Sequence, residues 1–66
     1  MCEANAYLVR EDGSEELLLK AVDKLTIDGD TVYLVDVFGR QERLRARVRS
    51  LALVDHKILL ERTETP

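Results

Sequence analysis

Hydrophobic and polar positions alternate with a period of two through the middle of the chain. Thr31–Phe38 (TVYLVDVF) is rich in β-branched and aromatic residues, which favour strands. In Gln41–Arg49 apolar residues alternate with arginines, as expected when successive side chains point to opposite faces of a sheet. The pattern therefore predicts two strands, separated by a turn at Gly39 and Arg40.

Further strands are predicted on both sides, bounded by turn-forming residues. These residues occur at Glu11–Ser14 (EDGS), Asp28–Asp30 (DGD) and Asp55–Lys57 (DHK). Glu16–Val22 holds three consecutive leucines and is ambiguous between strand and helix; we interpret it as mostly strand, because a helix would have to end almost at once. The other strand candidates are Ala4–Val9, Leu25–Ile27, Ser50–Val54 and Ile58–Glu61.

Short strands joined by tight turns predict an all-β fold. We expect a small antiparallel β-barrel of about six short strands, formed by residues 1–66 as a single domain without internal repeats. The residues expected to form its hydrophobic core are Leu8, Leu17, Leu19, Leu25, Ile27, Val32, Leu34, Val48, Leu53, Ile58 and Leu60.

The small size of the chain predicts a homodimer. A domain of 66 residues buries only about 60% of the surface of its unfolded chain, so it is marginally stable alone. Its single cysteine cannot form an intrachain disulfide. A two-fold dimer is the commonest way to add support, and it could bring two copies of Cys2 together.

Composition excludes several functional classes. Charged residues make up 35% of the chain and the net charge is −3, which argues against general attraction to nucleic acid or membranes. No apolar run approaches the ~20 residues that cross a bilayer, and the start lacks the features of a signal peptide, so we expect a cytoplasmic protein. We expect no enzymatic activity, because no nucleophile–histidine–acid arrangement or glycine-rich phosphate loop is present and the core leaves little room for a pocket.

Cys2 is the only cysteine and directly follows Met1. If Met1 is retained, its amine, the Cys2 amide nitrogen and the Cys2 thiolate can form adjacent chelate rings on nickel(II) or copper(II) in a square plane. If Met1 is removed, the Cys2 amine and thiolate form a bidentate pair, and two subunits supply two nitrogens and two sulfurs. Copper(II) generally binds such donors more tightly, and a structural role for Cys2 at the start of the first strand is the alternative.

Several segments together resemble one family. Met1–Ala4 (MCEA), Tyr7–Val9 (YLV), the Asp28–Asp30 turn and the Val54–Glu61 hairpin, in a chain of this length, look like the CooT family of small nickel-binding accessory proteins associated with the maturation of carbon monoxide dehydrogenase. The resemblance implies a homodimer with one Ni(II) site between its subunits, and it makes Cys2 a ligand. It also implies a metallochaperone-like role with a nickel enzyme as partner.

Four arginines on one face of a predicted strand suggest an alternative function. Arg43, Arg45, Arg47 and Arg49, the arginine stripe, would line ~20 Å of this face, a spacing that suits phosphates of RNA or another nucleic acid. The ordinary explanation is a solvated face with cross-strand carboxylate partners. The candidate partners are Glu15, Glu16, Asp36 and Glu42. Aromatic residues for base stacking are scarce.

His56 is the only histidine and is chemically suitable as a nickel ligand. It stands between Asp55 and Lys57 in a predicted turn, so we interpret it as an exposed loop residue. A contribution of His56 to the Cys2 site in a dimer stays open at this point.

Overall fold

The computed structural model describes residues 3–63 and confirms the all-β prediction. The strands are β1 (Ala4–Val9), β2 (Glu15–Asp28), β3 (Thr31–Asp36), β4 (Gln41–Ala52) and β5 (Lys57–Arg62). Consecutive strands pair antiparallel, and β1 pairs with β5 in parallel, so the sheet closes on itself. Within residues 3–63 no helix is long and apolar enough to cross a membrane.

The structure has five strands, two of them long, where the sequence predicts about six short ones. The predicted strands Glu16–Val22 and Leu25–Ile27 are both part of β2. Likewise, β4 contains the predicted strand Gln41–Arg49 and the first part of the predicted strand Ser50–Val54. Register shifts occur between Val22 and Lys24 in β2 and between Val48 and Ser50 in β4. Such bulges bend a strand without ending it, so β2 pairs first with β1 and then with β3.

The predicted turns are present, and the clearest is the one between β2 and β3. It contains only Gly29 and Asp30, and Asp28 pairs with Thr31 across it. Gly29 has a φ of 62°, whereas Asp30 is not among the residues with positive φ. Positive φ at the first of two turn residues is the pattern of a type II′ turn, in which glycine is favoured and which suits the twist of a hairpin.

The interior of the closed sheet is small and contains residues from every strand. The buried apolar residues are Ala6, Leu8, Leu19, Val32, Leu34, Ala46, Ile58 and Leu60. Six of these were predicted, and the predicted Leu25 and Val48 are half-buried and pack against the core. Ala6 and Ala46 were not predicted; a narrow closed sheet requires small side chains at some inward positions.

Three predicted core residues are wrong. Leu17, Ile27 and Leu53 have exposed fractions of 42%, 59% and 77%. Leu17 pairs with Tyr7, whose two neighbours in β1 are both buried, so this pair points away from the interior. Ile27 lies beside the β2–β3 turn and Leu53 lies in the β4–β5 turn, where few other residues cover them.

Asp36 is the one buried charged residue among those described. Its Oδ1 accepts hydrogen bonds from the N–H groups of Phe38 (2.9 Å) and Arg40 (2.8 Å), and its Oδ2 accepts one from Arg40 Nε (2.7 Å). Burial acts most strongly and raises the pKa of this carboxyl, but the hydrogen bonds and the Arg40 charge together lower it below its usual value. The Asp36 carboxylate therefore stabilises the β3–β4 turn.

Asp36→Asn should lower the urea midpoint of unfolding at pH 7, because an amide cannot replace a carboxylate that accepts all these hydrogen bonds. Since the folded-state pKa is lowered, the stabilisation is present above the unfolded-state pKa of about 3.9 and is lost as the pH falls through the folded-state pKa. The variant should therefore lose less stability than the wild type as the pH falls below about 3.9 towards the lowered folded-state pKa.

Urea titrations at pH 7 and along this acid range measure both effects. The matched control is Asp23→Asn, at an exposed position of β2, which should stay within about 0.5 kcal/mol of the wild type. Equal urea midpoints for Asp36→Asn and the wild type at pH 7 would contradict the stabilisation of the β3–β4 turn by Asp36.

Candidate metal site at the start of the chain

The predicted metal ligands Met1 and Cys2 lie outside the described residues. The described chain starts with the exposed Glu3 and enters β1 at Ala4. Because β1 lies between β2 and β5, its first residues are held by neighbours on both sides. These neighbours decide which parts of the molecule surround the start of the chain.

On one side, the β4–β5 turn (residues 53–56) lies against β1. Asn5 is opposite Lys57 in the register, and the Asn5 N–H donates a hydrogen bond of 2.8 Å to the C=O of His56. Cys2 precedes Asn5 by three residues, which span at most about 10 Å of extended chain. The prediction that His56 is an exposed turn residue is confirmed. The closed sheet also puts His56 beside the start of β1, and metal binding by its imidazole stays a prediction.

On the other side, the Asn5 side chain contacts a bulge in β2. Its Oδ1 accepts a hydrogen bond of 3.1 Å from the Ala21 N–H. Ala21 has a φ of 54°, a left-handed conformation that is unfavourable for alanine, and the register between β1 and β2 shifts at this point. The start of β1 is thus tied to β2 by a side chain and to the β4–β5 turn by its backbone.

The charge beside this end of β1 is neutralised locally. Lys57 Nζ lies 3.1 Å from Glu15 Oε1 and 5.2 Å from the centre of the Tyr7 ring. The Glu15 carboxylate, through its hydrogen bond and its charge, raises the pKa of the Lys57 ammonium. The closing strand pair therefore carries a paired cation on its outer face rather than one that repels a metal ion.

Donor chemistry places the candidate site at the first two residues. Among residues 3–63, no group of three or more histidine, cysteine, aspartate or glutamate side chains is arranged to hold a metal ion. A thiolate, an amine and an amide nitrogen fit the coordination preferences of nickel(II) and copper(II). Where one chain supplies only two of these donors, a four-coordinate ion needs more ligands, from a second chain or from His56.

Large apolar side chains are exposed beside the start of the chain. Leu51, Leu53 and Val54, which we call the apolar end, are 56%, 77% and 91% exposed. Leu51 lies near the end of β4, and the other two lie in the β4–β5 turn that contacts Asn5. Adjacent exposed apolar residues of this kind are typical of interaction surfaces.

The arginine stripe lies on the exposed face of β4, as predicted. Arg45 forms an ion pair with Asp30 (2.8 Å), and Arg47 and Arg49 both pair with Glu61 (2.6 Å and 3.6 Å). Much of the positive charge of the stripe is therefore balanced by carboxylates on neighbouring strands and turns. This arrangement favours the solvated-face explanation over nucleic-acid binding.

The predicted carboxylate partners of the stripe are wrong. Glu15 and Glu16 belong to β2, which is not a hydrogen-bonded neighbour of β4, and they pair with Lys57 and Arg10 instead. Asp36 pairs with Arg40, as described above, and Glu42 lies on β4 itself. The true partners could not be chosen without knowing which strands lie next to β4.

An open groove of about 530 Å³ lies beside the stripe. Its charged lining residues are Asp30, Glu42, Arg43, Arg45 and Arg62, with Tyr33 as the aromatic member. Because the groove carries both signs of charge, it does not provide the uniformly basic path that a nucleic-acid backbone requires.

Comparisons with known proteins point to a single family. The family model described as CO dehydrogenase accessory protein CooT matches residues 1–61. A crystal structure assigned to CooT from Carboxydothermus hydrogenoformans shares 44% sequence identity with this chain; the alignment covers 96% of this chain and 100% of the other, with a TM-score of 0.86. No curated protein matches the chain. The family match includes the first residues, β1 to β4, and β5 as far as Glu61.

Ala21→Gly should stabilise the protein by about 1 kcal/mol, because glycine adopts a positive φ without the steric penalty that alanine carries. Urea unfolding at pH 7 measures the change. The control is Ala52→Gly at the end of β4, where φ is not positive and glycine should destabilise by roughly 0.5–1 kcal/mol. A similar loss in both variants would show that the Ala21 conformation is not strained.

Proposed function

This chain belongs to the family of CO dehydrogenase accessory proteins CooT, and we propose that it holds nickel(II) for the maturation of a nickel enzyme such as carbon monoxide dehydrogenase. The observation that carries the proposal is the family match over residues 1–61, which includes the Met1–Cys2 start. An accessory role agrees with the expectation that the protein is not itself an enzyme. The cytoplasm, where a lone thiol stays reduced, is the proposed location.

The proposed nickel ligands are the Cys2 thiolate and the nitrogens at the start of the chain. With Met1 retained, the Met1 amine and the Cys2 amide nitrogen join the thiolate; with Met1 removed, the Cys2 amine and thiolate act as a pair. Either set requires a deprotonated thiol, so nickel binding releases protons and weakens at low pH. Copper(II) would bind at least as tightly, so selectivity would depend on which metal is available.

We propose that the site is shared between two subunits that meet at the apolar end. Leu51, Leu53 and Val54 are exposed beside the start of the chain, so a two-fold axis close to them would bring two copies of Cys2 together. These three side chains are too few for a stable interface of about 800 Å² per partner, and neighbouring residues at the same end would complete it. Burial of this surface would also support a domain with so small a core.

Nickel(II) titration of the wild type and of Cys2→Ala tests the metal site. The wild type should bind one nickel per dimer and develop thiolate-to-metal charge-transfer bands, and both should be lost in the variant. Absorption spectroscopy and native mass spectrometry measure the bands and the stoichiometry. The apo variant should unfold at nearly the same temperature as the wild type, because the described core contains none of the proposed ligands.

The result that contradicts the proposal is nickel binding that is weak in the wild type and unchanged in Cys2→Ala. A Cys2→Ala protein that fails to fold without metal would indicate a structural cysteine instead. Repeating the titration at pH 5 provides an internal check, since binding that requires a thiolate must weaken there.

Leu53→Asp should weaken dimer formation by about a hundredfold or more, because an unpaired carboxylate in a buried interface costs several kcal/mol. Analytical ultracentrifugation across a range of protein concentrations measures the dissociation constant. Ile27→Asp is the matched control: Ile27 is 59% exposed, but it lies beside the β2–β3 turn, which contacts Thr63 just after the end of β5 rather than the residues that precede β5.

The interface assignment is contradicted if Ile27→Asp separates the subunits and Leu53→Asp does not. If neither variant changes the sedimentation of a dimeric wild type, the subunits meet through another face of the sheet. Because Leu53 is exposed in the subunit, neither outcome should be confused with loss of folding, which circular dichroism checks separately.

A further inference from the structure

Exposed large apolar side chains are concentrated around two turns of the described chain. Within residues 3–63, Val37 and Phe38 of the β3–β4 turn (residues 37–40) are 47% and 79% exposed. The apolar end, at the end of β4 and in the β4–β5 turn, supplies three more of the eight side chains of this kind. Clusters of exposed apolar residues are typical of interaction surfaces, so the distance between the two turns decides whether they form one surface or two.

Hydrogen bonds connect the two turns across the start of β1. The Val37 N–H donates to the Ala21 C=O at 3.0 Å, and the Ala21 N–H donates to Asn5 Oδ1 at 3.1 Å. The Asn5 N–H in turn donates to the His56 C=O at 2.8 Å. Because neighbouring strands lie about 4.8 Å apart, three such steps place the backbones of the two turns within roughly 15 Å of each other.

The area that a dimer interface needs is large enough to include both turns. A stable interface buries about 800 Å² on each partner, contributed by some twenty or more residues and roughly 30 Å across. The accessible surface of the subunit is 4897 Å², so such an interface would cover about one sixth of it. Either turn alone is too small, whereas a patch of this width spans both turns and the start of β1 between them.

The β3–β4 turn holds Phe38 in a defined position. The Phe38 N–H donates to Oδ1 of the buried Asp36, which also accepts hydrogen bonds from Arg40. The Arg40 guanidinium lies 5.9 Å from the centre of the Phe38 ring. An exposed aromatic side chain on a turn fixed in this way loses little conformational freedom on binding, and aromatic residues are enriched in interfaces.

Charge selects how the two turns meet in a two-fold dimer. The Arg40 side chain is 69% exposed and binds Asp36 through Nε, which leaves its other N–H groups as donors. In the β4–β5 turn Asp55 is exposed, and the neighbouring Lys57 is paired with Glu15. If each turn met its own copy, like charges would face each other. If the β3–β4 turn meets the β4–β5 turn, arginine faces aspartate in both contacts.

We propose, on the basis of the dimer in the proposed function, that the β3–β4 turn of one subunit packs against the apolar end of the other, with Phe38 as its main apolar contact. Two-fold symmetry makes this crossed contact twice. The starts of both β1 strands then lie between the two contacts, close to the axis. The partner of this surface is a second copy of the chain.

Two variants that carry opposite charges test the crossed contact. Phe38→Lys should weaken self-association by about tenfold or more, as Leu53→Asp does, because a charge replaces an apolar contact. When the two variants are mixed, the introduced charges face each other in one crossed contact, and the other contact keeps its natural side chains. Analytical ultracentrifugation measures the dissociation constants, and native mass spectrometry identifies the mixed dimer.

Ile27→Lys is the matched control, since Ile27 is 59% exposed beside the β2–β3 turn. It should self-associate like the wild type. Leu53→Asp should bind Phe38→Lys about tenfold more tightly than it binds Ile27→Lys, because only the first pairing places opposite charges together. If circular dichroism shows that Phe38→Lys does not fold, Val37→Lys takes its place in both measurements.

A folded Phe38→Lys that self-associates as tightly as the wild type overturns the role of the β3–β4 turn and leaves the dimer of the proposed function intact. Equal affinity of Leu53→Asp for Phe38→Lys and for Ile27→Lys overturns the crossed arrangement. A wild type that stays monomeric at every concentration, with nickel(II) or without it, removes the dimer and this contact with it. Nickel binding through Cys2 is judged separately, by the titration of Cys2→Ala.

Discussion

The parallel pairing of β1 with β5 is the contact on which the rest of the fold depends. It joins Asn5–Leu8 to Lys57–Leu60 and turns a meander with two open edges into a closed sheet. Open edges present unpaired N–H and C=O groups to other chains, and closure removes them. In so short a chain, closure also creates the only interior that the described strands share, because the inward residues of all of them face one another.

The same strand pairing brings the start of β1 close to an exposed apolar surface. Because β1 lies alongside β5, the start of β1 lies next to the turn that precedes β5. That turn carries His56 and most of the apolar end. The start of β1, His56 and the exposed apolar end thus lie close together as a consequence of a single strand pairing.

The fold could be predicted from the sequence wherever the signal is local. Alternating side chains and turn residues identify the strands, since both depend on a few adjacent positions. One failure occurs where a bulge changes the alternation: Leu17 is two residues from the buried Leu19, but a register shift between them places Leu17 on the outer face with Tyr7. Ile27 and Leu53 fail for another reason, because they lie at turns where few other residues cover them. Bulges also merge predicted strands into β2 and β4, because they bend a strand that the sequence pattern treats as ended.

The candidate site, too, could be predicted from the sequence only in part. Cys2 and Met1 could be proposed from donor chemistry alone, without any fold. The contacts of Asn5 with Ala21 and His56 join segments that are far apart along the chain and exist only in the closed sheet, so no local pattern contains them. The ion-pair partners of the arginine stripe were missed for the same reason, since they depend on which strands are neighbours.

Proposed ligands on the first two residues separate metal binding from folding. The described core and strands contain none of these ligands, so under the proposed function we expect the sheet to form without metal, unlike small zinc domains in which metal binding supplies the folding free energy. Under the proposed function, donors on the first two residues would leave the metal accessible to ligands of another protein, as a carrier of nickel requires.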